Sequence, residues 1–166
     1  MGHSIDKILE VFYENPGKNF TVRDLSKLTK VPRATVHKKL LELKKEGLIS
    51  KENYSEKGLL FETKKINFFI EKIVSSGLID EIVEKLNPSA IVLFGGIRKG
   101  ESDKESDIDL FVESSVEKKI DLINFEKKLK HKIDLFVYGH IKEVNENLRA
   151  NIINGIKLYG YLDVKW

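Results

Sequence analysis

The chain contains no cysteine, which excludes disulfides and thiolate-ligated metal sites. That absence fits a reducing compartment, and a cytoplasmic location is the expectation. No apolar run approaches the roughly 20 residues that a membrane-spanning helix needs, so no membrane association is expected. The opening Met1-Gly2-His3-Ser4-Ile5-Asp6 lacks the basic and apolar regions of a signal peptide. Low-complexity segments are also lacking. The pentapeptide Ile-Asp-Leu-Phe-Val occurs at 108–112 and again at 133–137, too short to mark a repeated domain. With 41% hydrophobic and 33% charged residues, what remains is the ordinary mixture of a globular protein.

Charge divides the chain. Residues 1–65 carry 14 Lys/Arg against 9 Asp/Glu, whereas residues 66–166 carry 15 against 17, which together give the net +3. A basic first half and a slightly acidic second half suggest two modules with different partners, the first a candidate for polyanions.

The first half reads as helices followed by a hairpin. Ile5, Ile8, Leu9 and Phe12 keep helical spacing, and Asn15-Pro16-Gly17 stops that helix. Thr21 is a candidate N-cap for a helix from Val22 to Leu28. A turn through Lys30-Val31-Pro32 leads to a longer helix from Arg33 to Glu46, ended by Gly47, with Val36, Leu40 and Leu43 as its apolar stripe. Residues 48–51 and 59–63 then read as two short strands, with 53–58 as the loop between them. Arg33, Thr35, His37 and Lys38 fall on the side of the third helix away from its apolar stripe. They are either a solvated face or a surface for DNA grooves and phosphates. His37 has no His or Cys near it and is not read as a metal ligand.

Residues 66–86 again show helical spacing, interrupted at Ser75-Ser76-Gly77, so 66–77 reads as a helical connector and 78–166 as a second domain. Here lies the chemistry-bearing pattern. Ile91-Val92-Leu93-Phe94 is an apolar strand closed by Gly95-Gly96, and ten residues later comes Asp107-Ile108-Asp109-Leu110-Phe111-Val112. Alternation along a strand points Asp107 and Asp109 the same way. Two like charges so placed repel unless a divalent cation lies between them, and hard cations such as Mg²⁺ prefer carboxylate oxygens. Asp134 interrupts a further apolar strand, where Asp is disfavoured and costly to bury unpaired. If the two strands are neighbours, Asp107, Asp109 and Asp134 meet at one sheet edge, an arrangement suited to two-metal phosphoryl transfer. Glycines at 95 and 96 make either a bare turn or a close backbone approach to phosphates. Arg98 and Lys99 either neutralise phosphate charge or lie in a solvated loop. Residues 115–130 read as a helix between the two strands, and 141–153 as a last helix before a final strand.

Gly95-Gly96 followed by Asp107-Ile108-Asp109 resembles the glycine-plus-Asp-x-Asp signature of nucleotidyltransferases of the DNA polymerase beta superfamily, and the short length resembles its minimal branch. The ending Asn154-Gly155-Ile156-Lys157-Leu158-Tyr159-Gly160 is also similar. The likeness runs from about residue 78 to the end, with one departure, Gly96 where Ser is common. It implies transfer of a nucleoside monophosphate from an NTP, with ATP the expected one, to a protein or small-molecule hydroxyl. By the same resemblance, Asp107, Asp109 and Asp134 are catalytic and hold two Mg²⁺ ions. Gly95, Gly96, Arg98 and Lys99 bind the nucleotide. The first 65 residues resemble winged helix–turn–helix domains, which implies DNA contact through Arg33, Thr35, His37, Lys38 and, at the wing, Tyr54 and Lys57. The expected fold class is α+β, a winged helix followed by a small mixed-sheet nucleotidyltransferase α/β domain. The resemblance further implies an antitoxin-type component with a partner toxin protein, and possible homodimers on palindromic sites. The alternative is a DNA-binding regulator whose nucleotidyltransferase domain is inactive or only senses nucleotide.

Overall fold

A computed structural model describes residues 3–56, 58–116 and 118–164. The chain forms two compact units, one of residues 1–65 with 102–104, the other of 66–101 with 105–166. The stretch 66–77 thus belongs to the second unit.

In the first unit α1 (His3–Glu14), α2 (Val22–Thr29) and α3 (Arg33–Lys45) follow the apolar spacing of the sequence. The Thr21 hydroxyl accepts from the Asp24 N–H at 3.2 Å, and the Asp24 carboxylate accepts from the Thr21 N–H at 3.0 Å. This reciprocal capping box satisfies two N–H groups that no helix turn could. Val36, Leu40 and Leu43 are buried together with Ile8, Phe12, Leu25 and Leu48. Tyr13 meets Phe61 edge-on with ring centres 5.1 Å apart. Lys65 is buried too, and its ammonium donates to the Ser102 carbonyl.

The hairpin after α3 differs from the sequence expectation. Its return strand is not 59–63, because Leu59–Ser75 is a single helix, α4. The ladder is instead the short bridge Ile49–Ser55, flanked by Ser50 N–H to Tyr54 O at 2.8 Å and Glu56 N–H to Leu48 O at 3.0 Å. The residues expected to be loop therefore contain the return strand. Asn53, at φ 61°, makes the turn. The Leu-Leu-Phe run suggested a strand, but Phe61, Lys65, Phe69 and Ile73 are buried at intervals of four, the spacing of one helical face. Leu59 is left 80% exposed.

In the second unit α4 ends at Ser75, Gly77 adopts φ +88°, and α5 (Leu78–Leu86) follows. Four strands, β1 (Ala90–Phe94), β2 (Ile108–Glu113), β3 (Ile133–Tyr138) and β4 (Ile156–Gly160), form a mixed sheet in the order β3-β2-β1-β4. The pair β1–β2 is antiparallel, and β2–β3 is parallel. Helix α6 (Gly95–Lys99) follows β1 directly.

The crossover between the parallel strands holds less helix than expected, since α7 spans only Ile123–Leu129. Side chains that compete for the backbone explain this. The Ser114 hydroxyl accepts from the Val116 N–H at 3.0 Å, and Asp121 accepts from the Ile123 N–H at 3.1 Å. The expected helix 141–153 is likewise split. A 3₁₀ turn (Ile141–Glu143) precedes α8 (Glu146–Ile153), which Asn145 caps by accepting from the Leu148 N–H at 3.0 Å.

One face of the sheet builds a core from Val92, Phe94 and Phe111 with Ile141, Val144 and Ile152. Alternation sends Ile91, Leu93, Ile108, Leu110 and Ile133 to the opposite face, where they are also buried. Glu113, at the far end of β2, is buried yet paired. It accepts from the Ile141 N–H at 2.9 Å and from the Ser89 hydroxyl at 2.6 Å. Among the described residues no helix is long and apolar enough to cross a membrane.

Candidate active site

The strand register brings the carboxylates together. Asp109 pairs with Asp134 across the parallel β2–β3 ladder, and with Phe94 across the antiparallel β1–β2 ladder. Parallel neighbours lie about 4.8 Å apart with side chains on a common face, so these two carboxylates stand side by side. Asp107 lies just outside β2, so alternation does not assign it to that face as expected, but its charge reaches Asp109. Asp109 is partly buried, and Asp134 is exposed on the edge strand.

The crowding has an electrostatic consequence. Burial, then the negative charges of Asp134 and Asp107, push the Asp109 pKa up to about 6. Desolvation and like charge both disfavour the carboxylate form. The donors are all oxygen and all of one sign, which fits a hard divalent cation. Among the described residues no three His, Cys, Asp or Glu side chains are gathered tightly enough to hold a metal ion. The fit to Mg²⁺ therefore rests on donor chemistry and register.

Gly95 and Gly96 begin α6 rather than form an open turn. Gly95 has φ +72°, and a Cβ there would collide with Asp109 Oδ2. Gly95 is thus the floor against which Asp109 packs. Gly96 has an ordinary φ and open space where a Cβ would stand. In the same helix Arg98 is half-buried and Lys99 exposed.

The backbone on both sides of Asp107 is tied to the segment that enters β3. The His131 ring meets the Ser106 carbonyl through Nδ1 at 2.6 Å, and the Ile108 N–H donates to Lys132 O at 2.8 Å. His131 is buried and lies edge-on to Phe69, with ring centres 5.5 Å apart. Nothing in the sequence singles out His131, because a lone histidine in the basic run 127–132 carries no periodic signal.

The residues expected to contact DNA are placed in the first unit, away from this carboxylate face in sequence. Arg33, His37 and Lys38 are exposed on α3 and Thr35 is half-buried, while Val36 and Leu40 are buried. Tyr54 lies on the return strand of the hairpin, 41% exposed. Lys57 lies outside the described residues.

A strand ending in glycines, antiparallel to a strand bearing Asp109, itself parallel to one bearing Asp134, forms a mixed-sheet carboxylate site. The family model for the nucleotidyltransferase domain matches residues 75–159, just over half of the 166 residues, and the chain belongs to that family. Nucleotidyl transfer is the chemistry of that family. No curated protein matches the chain.

Proposed function

We propose that this protein is a Mg²⁺-dependent nucleotidyltransferase that moves a nucleoside monophosphate from an NTP to a hydroxyl on a protein or small molecule. The observation that carries this reading is the pairing of Asp109 with Asp134 in a family member, with the charge of Asp107 acting on Asp109. Asp107 and Asp109 would hold Mg²⁺, with Asp134 as a further ligand. When bound, such ions neutralise the triphosphate and lower the pKa of an attacking hydroxyl.

The chain's own residues do the rest. The acceptor oxygen forms a bond to the α-phosphorus as the bond to pyrophosphate breaks. Asp134, the most exposed of the three, takes the acceptor proton or orients the group that does. The backbone at Gly95 and Gly96, with Arg98 and Lys99, positions the phosphates. Positioning and charge neutralisation supply most of the rate in such reactions.

The first unit is read as a winged helix that contacts DNA through Arg33, Thr35, His37 and Lys38. The support is an exposed basic face on α3 beside a short hairpin. In this reading the protein is the antitoxin-type partner of a toxin, and DNA contact serves regulation of the pair. A regulator with a silent nucleotidyltransferase domain is the second reading, favoured by Gly96 where Ser is common.

Transfer distinguishes the two. Incubation with cell extract and ATP labelled at the α-phosphorus should label an acceptor, while label at the γ-phosphorus should leave as pyrophosphate. The Asp107→Ala/Asp109→Ala variant should label nothing. Transfer of the γ-label beyond that in extract alone would contradict nucleotidyl chemistry, and no transfer beyond that background from any of the four NTPs would favour the silent regulator.

A further inference from the structure

Asp107 is the one member of the acidic set that lies outside a strand, one residue before β2 begins. A ladder fixes Asp109 and Asp134, but Asp107 needs another restraint. The two backbone groups that flank it are held by consecutive residues of a single segment. Ser106 O faces His131 Nδ1 at 2.6 Å, and the Ile108 N–H reaches Lys132 O at 2.8 Å. A carbonyl can only accept, so this bond requires the proton on Nδ1.

The histidine is itself immobilised. It is 4% exposed, and Phe69 packs against its ring at 83°. It also sits just before the strand that carries Asp134. Residue 133 is fixed in turn by its N–H donating to Glu126 Oε1 at 3.1 Å. The segment 131–134 therefore acts as a jig, carrying Asp134 at one end and holding the peptide of Asp107 at the other.

We propose that His131 is a positioning residue, one that sets Asp107 against Asp109 and Asp134 through the Ser106 carbonyl. Nucleotide and cation never touch it. Its effect passes through the backbone, so loss of the bond loosens residues 106–108 and weakens Mg²⁺-dependent nucleotide binding. This functional part rests on the nucleotidyltransferase reading, whereas the structural part does not.

The test uses His131→Leu, which removes the donor, and His131→Asn, whose amide nitrogen is as far from Cβ as Nδ1 is. Amide hydrogen exchange would be read at Asp107 and Ile108, with Leu93 in β1 as the internal standard. Binding of Mg²⁺·ATP would be read by calorimetry with and without Mg²⁺. For Leu we expect exchange at 107–108 and the Mg²⁺·ATP Kd to rise by about tenfold, the scale of one lost hydrogen bond. Asn should restore both, and binding without Mg²⁺ should not change.

A Leu variant with wild-type exchange and affinity would overturn the proposal, as would an Asn variant no better than Leu. If Leu does not fold, His131→Gln takes its place. Its donor sits one carbon further out, so it should fail where Asn succeeds, and equal behaviour of the two would overturn the proposal. If wild type binds none of the four NTPs, the nucleotidyltransferase reading falls. Exchange at 107–108 then decides the role of His131 alone.

Discussion

The carboxylate of Asp109 occupies the space that a side chain at residue 95 would need. The two residues are neighbours because Phe94, the last residue of β1, pairs with Asp109. The chain then turns away through a glycine at φ +72°. Adjacent glycines thus have different obligations. Gly95→Ala should cost at least about 2 kcal/mol, from the left-handed backbone and the collision together. It should also abolish nucleotide binding by displacing Asp109. Gly96→Ser meets open space and should change stability by no more than about 0.5 kcal/mol. Urea unfolding of the two variants checks both expectations.

Crowding of the acidic residues should appear in the pH dependence of stability. Asp109 in the folded chain titrates at about 6, above its ordinary 3.8. The folded state therefore holds this proton more tightly than the unfolded state does. The stability it contributes is fully present below about pH 4 and is lost as pH rises through about 6. Asp109→Asn should accordingly be more stable than wild type at pH 7.5, with the advantage vanishing near pH 4. Urea midpoints across that range, wild type against variant, give the measurement. An advantage that does not depend on pH would contradict the assigned cause.

Glu113 provides a control at the other end of β2. Its carboxylate satisfies the Ile141 N–H and the Ser89 hydroxyl. Glu113→Ala strands a buried N–H, at a cost of roughly 1–3 kcal/mol. Nucleotide affinity should not change in the protein that remains folded. Thermal melts and Mg²⁺·ATP titrations separate the two effects.

The exposed face of α3 makes a different demand. If Arg33 and Lys38 neutralise phosphates, binding to random duplex DNA should weaken with salt, and each change to Ala should reduce the slope of log K against log salt by about 1. Absence of any mobility shift at low salt would assign this face to a protein partner instead.

Helix positions and strand cores were legible because their signals are local. The spacing of Ile8, Leu9 and Phe12, the Thr21–Asp24 cap and the apolar runs around Asp109 and Asp134 all act within a few residues. The hairpin is not legible in the sequence, because Leu59-Leu60-Phe61 suits a strand as well as a helix. Only the burial of Phe61, Lys65, Phe69 and Ile73 along one face decides it. The meeting of Asp109 with Asp134 is legible only on the condition that their strands are neighbours, which alternation cannot say and the β2–β3 register supplies. The packing of Asp109 on Gly95 and the bond from His131 to Ser106 O join residues 14 and 25 positions apart. No periodic pattern encodes contacts of that kind.

Calorimetric titration of Mg²⁺·ATP, GTP, CTP and UTP into wild type and into Asp107→Ala/Asp109→Ala tests the central claim most directly. The account predicts Mg²⁺-dependent binding of at least one nucleotide by wild type and its loss in the folded double variant. A folded wild type that binds no nucleotide, or a double variant that binds as wild type does, would contradict it.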